Sequence, residues 1–90
     1  MALMTQPRVD PKEAESRRAD KARERAHFGS RVRELRHAAG LSQETLAATV
    51  PMSRVTLSKV ENGEHDLATS YVRRLAKALG TDPGALFMDE

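Results

Sequence analysis

Between Phe28 and Met88 the chain is punctuated by helix stops and helix starts at short intervals. Gly40, Pro51, Gly63 and Gly80 close apolar-periodic runs. Ser42, Ser53, Thr69 and Asp82 stand where a side-chain oxygen can open the next helix. Pro83 follows Asp82 at a first-turn position that suits proline. Each piece is at or below the roughly 12–15 residues under which an isolated helix is marginal in water. The pieces can persist only by sharing one core.

The apolar positions supply that core. Phe28, Val32, Leu35 and Ala39 recur at helical spacing, followed by Leu46, Ala47 and Val50, then Leu57 and Val60. Val72, Leu75, Ala76 and Leu79 line a fourth helix, and Leu86 and Phe87 belong to a short fifth. Nothing alternates as a half-buried strand would. The expected fold is all-α, a compact five-helix domain over residues 28–88 with connections of about two to six residues.

Residues 1–27 differ in kind. After Val9 their only apolar side chains are Ala14, Ala19, Ala22 and Ala26. Asp10 can cap a helix with Pro11 at its first position, and Glu13 and Arg17 are spaced as an i,i+4 pair. The segment reads as a charged extension, either a helix over 10–26 that runs into the next one or a disordered arm. Met1–Pro7 is apolar for only four residues, which argues against a secretory signal. No run approaches the roughly 20 apolar residues that span a bilayer. The chain of 90 residues has no cysteine, hence neither disulfides nor thiolate metal sites. A cytoplasmic location fits these features.

Charge is distributed unevenly. Residues 28–60 carry five Arg/Lys against two acids, and residues 61–90 carry three against six. Residues 1–27 carry seven basic and five acidic side chains. A positive front and a negative back suit one face turned to phosphate, although a solvated mixed-charge surface would read the same way.

The functional signal is the pair of capped helices Ser42–Val50 and Ser53–Asn62. Joined by a tight turn, they must cross steeply and leave the outer face of the second one bare. That face comprises Ser53, Arg54, Val55, Thr56, Ser58 and Lys59, without an acid among them. Arginine can grip a guanine edge with two hydrogen bonds, Ser and Thr can bond bases or phosphates, and a valine methyl can touch thymine. The free N–H groups at a helix start attract phosphate.

Residues 28–87 resemble the lambda-repressor-like helix-turn-helix family, which includes phage repressors, Cro and the XRE-type bacterial regulators. The matching runs are Val32-Arg33-Glu34-Leu35-Arg36, Gly40-Leu41-Ser42-Gln43-Glu44-Thr45-Leu46-Ala47 and Ser53 to Ser58. Val60-Glu61-Asn62-Gly63 and Leu75-Ala76-Lys77-Ala78-Leu79-Gly80 complete the match. The resemblance implies that Gln43 contacts a phosphate and braces the third helix, and Ser42, the cap before it, is a further candidate DNA-binding residue. It implies that Arg54, Val55 and Lys59 face bases, and that Ser53 and Thr56 touch bases or backbone; Ser58, on the same outward face, is a further candidate DNA-binding residue. Asn62 and Gly63 would offer a backbone N–H or an amide to phosphate, and Arg36 and Glu61 would form an ion pair. Two departures stand out. Pro51 occupies a turn position where the family usually has a glycine with positive φ, so the turn needs a different construction. Leu67 and Ala68 replace a usual proline and cap, and the leucine resembles the small controller proteins of restriction–modification systems.

The expected function is a sequence-specific transcriptional regulator that binds double-stranded DNA as a homodimer, with residues 53–62 in the major groove. The dimer surface would be Leu86, Phe87 and Met88, partly exposed, or the N-terminal helix. Other readings are a toxin–antitoxin antitoxin or a restriction–modification controller, whose protein partner would sit on residues 1–27 or on the acidic back face. A protein-interaction module without DNA binding is a further reading. An enzyme is disfavoured: His27, His37 and His65 lack metal-ligand spacing, and no cofactor motif or acid/base pair is present.

Overall fold

The computed structural model describes residues 10–88. The expectations for Met1–Pro7 and for the acidic end at Asp89 and Glu90 fall outside the described residues. Four α-helices follow in order: α1 Pro11–Ala38, α2 Gln43–Thr49, α3 Arg54–Glu61 and α4 Thr69–Ala78. The fifth expected helix is instead a single 3-10 turn, Pro83–Phe87. Its five residues are too few for an α-helical ladder, and the Asp82 side chain makes no capping bond to support one.

Helix α1 runs through positions 27 and 28 without a break, so the helical form of the extension is the one observed. The Asp10 carboxylate accepts from the Lys12 N–H at 3.0 Å, and Pro11 occupies the first turn. Most of residues 11–26 is exposed, because the stretch has no apolar stripe to bury. The ion pair formed within it joins Arg23 to Asp20 rather than Arg17 to Glu13.

The core gathers Phe28 and Val32 from α1, Leu46, Ala47 and Val50 from α2, and Leu57 and Val60 from α3. Val72, Leu75 and Ala76 come from α4, and Leu86 from the 3-10 turn. Burying a side chain of this size stabilises by about 1.5–3 kcal/mol each. Two expectations shift. Ala39 is exposed and Leu35 only half-buried, and Arg36 continues the buried line of α1 instead. Leu86 is fully buried, so only Phe87 and Met88, each 59% exposed, remain on the surface. Thr69 does not cap α4. Ala68 holds the cap position without a side-chain bond, and its carbonyl accepts from the N–H groups of Tyr71 and Val72.

Candidate nucleic-acid interface

The cap at Ser42 starts α2 as its sequence requires. The Ser42 hydroxyl accepts from the Thr45 N–H at 3.0 Å and donates to the Thr45 hydroxyl at 2.9 Å. Its hydrogen is therefore engaged within the protein. Helix α2 ends at Thr49, and the Val50–Pro51 bond is cis. The Met52 N–H then reaches back to the Ala47 carbonyl at 2.7 Å. Among the described residues positive φ is confined to Gly40, Gly63 and Gly80, so this turn has no left-handed residue and no need of glycine.

Ser53 opens α3 by accepting from the N–H groups of Val55 and Thr56 at 3.1 and 3.4 Å. Leu57, Val60 and Glu61 turn inward. Ser53, Arg54, Val55, Lys59 and Asn62 are exposed, and Thr56 and Ser58 half-buried. Among the described residues neither the Arg54 nor the Lys59 side chain forms a hydrogen bond or ion pair. Four of the six positions expected on the bare face are exposed, and the side chains of its two cations are uncommitted.

What holds α3 at its angle is a buried charge cluster at its last residue. Arg36 donates from Nε and Nη2 to the two carboxylate oxygens of Glu61 at 2.7 and 2.9 Å, and from Nη1 to the Leu41 carbonyl at 2.9 Å. Gln43 Nε2 donates to Glu61 Oε1 at 3.1 Å, tying the start of α2 to the end of α3. Arg33 Nε approaches the same oxygen at 3.5 Å, and Arg33 Nη2 donates to the Glu61 carbonyl at 3.3 Å and to Asn62 Oδ1 at 2.7 Å. Burial alone would raise the Glu61 carboxyl. Hydrogen bonds from Arg36 and Gln43, the charge of Arg36 and the bond from Arg33 outweigh it and hold the group below the ordinary carboxylate range. The bond to Glu61 in turn raises Arg36 against its own burial.

One site expectation changes and one is met. The backbone N–H groups of Asn62 and Gly63 already donate within the protein, to Ser58 and Val60, so only the Asn62 side-chain amide is available. Gln43 braces α3 through Glu61, and one of its amide hydrogens is used in doing so. Sequence reasoning missed Arg33. The available signal was two arginines one helical turn apart against the single acid at Glu61. Gly29, which lies inside α1, had no role assigned from the sequence.

Two capped helices crossing over a tight turn, the second bare on its outer side, constitute a helix-turn-helix unit. A family profile described as "Helix-turn-helix domain" matches residues 27–87. The chain is 39% identical over 64 residues to an uncharacterized transcriptional regulator in the ATPase CF(0) region of Rhodospirillum rubrum. That match covers 71% of this chain and 59% of the relative, and so under two thirds of its length. Control protein C.MunI of a Mycoplasma species is 32% identical over 63 residues, 69% of this chain and 85% of its own. The crystal structure of the restriction-modification controller protein C.AhdI from Aeromonas hydrophila superposes with a TM-score of 0.69 at 42% identity, covering 77% of this chain and 98% of that one. The chain belongs to the helix-turn-helix family of the Cro/XRE type.

Proposed function

We propose that this protein is a sequence-specific regulator of transcription that binds double-stranded DNA, with the outer face of α3 in the major groove. The observation that carries the reading is the exposure of Arg54 and Lys59, uncommitted among the described residues, on an acid-free helix face. Arg54, Val55 and Lys59 read base edges. Ser53, Thr56 and Ser58 contact bases or backbone, and the side-chain amides of Gln43 and Asn62 contact phosphates. The protein acts by binding, in the cytoplasm, with no cofactor and no catalytic step. No described helix is long and apolar enough to cross a membrane.

One domain of this size covers a single half-site, and useful affinity requires two about one helical turn apart. The active form is a homodimer. Phe87 and Met88 favour the C-terminal turn as its surface, because both are large, apolar and exposed. Residues 10–26 form a charged extension of the domain and offer a second surface to DNA or a protein.

Selection of bound duplexes from a random pool tests the reading. The expected result is a consensus with two-fold symmetry, whose half-sites are centred about 10 base pairs apart. A pool that shows no enrichment over many rounds argues for a protein-interaction module on the same fold. The likeness to C.AhdI and C.MunI supports a narrower reading, control of a restriction–modification operon. An adjacent pair of nuclease and methyltransferase reading frames separates it from an antitoxin, which would neighbour a small toxin.

A further inference from the structure

The cluster at Glu61 contains more positive charge than it neutralises. Arg33 and Arg36 both approach the one carboxylate, at 3.5 and 2.7 Å. Two guanidiniums against one carboxylate leave one positive charge over. Arg36 is buried, with its three kinds of nitrogen donating to Glu61 and Leu41. The surplus therefore sits on Arg33, whose side chain is 44% exposed while that of Glu61 is 0%.

Arg33 also sets the orientation of Asn62. A guanidinium has donors and no acceptor, so the Asn62 atom that meets Arg33 Nη2 at 2.7 Å must be the carbonyl oxygen. The amide nitrogen, carrying two hydrogens, is turned away from Arg33. Gln43 retains a second amide hydrogen beside its bond to Glu61. Val55, Lys59 and Asn62 follow one another at i, i+4 and i+7 along one exposed stripe of α3 and its cap. The rise from Val55 to Asn62 is about 10 Å, and the major groove is about 12 Å wide. With Val55 and Lys59 at base edges, Asn62 and Arg33 reach the rim of the groove, where the phosphates run.

We propose that Arg33, together with the side-chain amides of Gln43 and Asn62, forms a binding site for a phosphate of the DNA backbone. In it Arg33 supplies the charge and aims the Asn62 amide at the anion. The inference rests on the DNA-binding reading and adds a residue to it. Arg36 holds the hub together and Arg33 faces outward from it.

The test is a fluorescence-anisotropy titration of the selected duplex between 50 and 200 mM salt, with thermal melting of every variant as the control for folding. Each phosphate neutralised contributes about 0.9 to the slope of log affinity against log salt. Arg33→Gln should lower the slope by about 0.9 and the affinity roughly eightfold at 0.1 M salt. Arg33→Lys, which retains the charge, should preserve the slope. Asn62→Asp preserves the oxygen that accepts from Arg33 and replaces the outward amide with a carboxylate oxygen. It should melt like the native protein and lose at least about tenfold in affinity. Native protein that binds with a slope unchanged by Arg33→Gln overturns the inference, as does Asn62→Asp that binds as tightly as native. Native protein that binds no duplex at all removes the functional reading itself, and this site with it.

Discussion

Gly29 and Val60 meet backbone to backbone. A Cβ on Gly29 would stand 2.8 Å from the Glu61 carbonyl oxygen and closer still to that of Val60. Gly63 repeats the arrangement, since a Cβ there would lie 2.9 Å from the Ala26 Cα. These approaches bring α1 hard against the end of α3. Arg33 and Arg36, one and two turns further along α1, then reach Glu61.

Gly29→Ala sets two effects against each other. Alanine improves an exposed helix interior by up to about 1 kcal/mol, and overpacking costs about 1–3 kcal/mol. The obstacle at Gly29 is backbone, which cannot rotate aside as a side chain can. The variant should be less stable by about 1–2 kcal/mol, and Tm should fall by several degrees. A variant that melts at or above the native temperature means that the two helices are not in close contact.

The buried pair should behave as a unit. Glu61→Leu leaves Arg36 buried without its partner, and Arg36→Met leaves Glu61 to the other donors. Removing one member of such a pair typically costs 3–5 kcal/mol. The double variant Arg36→Met with Glu61→Leu should recover much of that loss, because no unpaired charge remains. Urea unfolding of the four proteins gives the coupling energy. Additive losses would mean that the pair does not act as a unit.

Acid should weaken the native fold through the same group. Glu61 is held below the ordinary carboxylate range when folded and returns to that range when unfolded. Between the two values the unfolded chain binds the proton and the folded chain does not, so stability rises with pH. The contribution is complete above the ordinary carboxylate range and fades as pH falls through the folded value. Tm measured against pH should therefore drop more steeply for the native protein than for Glu61→Gln. Parallel acid limbs would show that another carboxylate governs acid unfolding.

The two exposed cations of α3 should govern selectivity. Arg54→Ala and Lys59→Ala should each reduce discrimination between the selected site and a mismatched one by about 1–3 kcal/mol per lost base contact. Gln43→Ala should lower affinity for both duplexes by similar factors. If Arg54→Ala weakens both duplexes equally, Arg54 serves the backbone rather than the bases.

The dimer surface can be probed without removing a fully buried residue. Deleting residues 82–90 would remove Leu86, which is fully buried. Replacing Phe87 and Met88 together by serine leaves Leu86 in place and removes the exposed apolar patch. Phe87 also packs on Phe28, with ring centroids 5.1 Å apart, so a modest loss of Tm is expected as well. Sedimentation equilibrium should show monomer for the variant and dimer for the native protein. A variant that stays dimeric moves the interface to the N-terminal helix.

Several elements are legible in the amino-acid order alone. Asp10, Ser42 and Ser53 cap where their side chains predict, because a cap depends on two or three neighbouring residues. Leu57 and Val60 of α3 and Val72, Leu75 and Ala76 of α4 turn inward as their spacing predicts, whereas Leu79 is only half-buried and Glu61 joins the inward side as a partner of Arg36. Thr69 failed as a cap because the backbone assigned that role to Ala68, one residue earlier. The Pro51 turn was unreadable for a related reason. Its construction depends on the Met52 N–H finding the Ala47 carbonyl across the turn.

The amino-acid order by itself determined where most helices begin and end, which faces are apolar, and that α3 presents an acid-free face, since each of these is a local property of a few adjacent residues. Only the tertiary structure decided that Gly29 is a point of contact, that Arg36 is core, and that Arg33 stands beside Asn62. Those facts join positions 25 to 31 residues apart, and distance in space across such a separation is set by how whole helices pack.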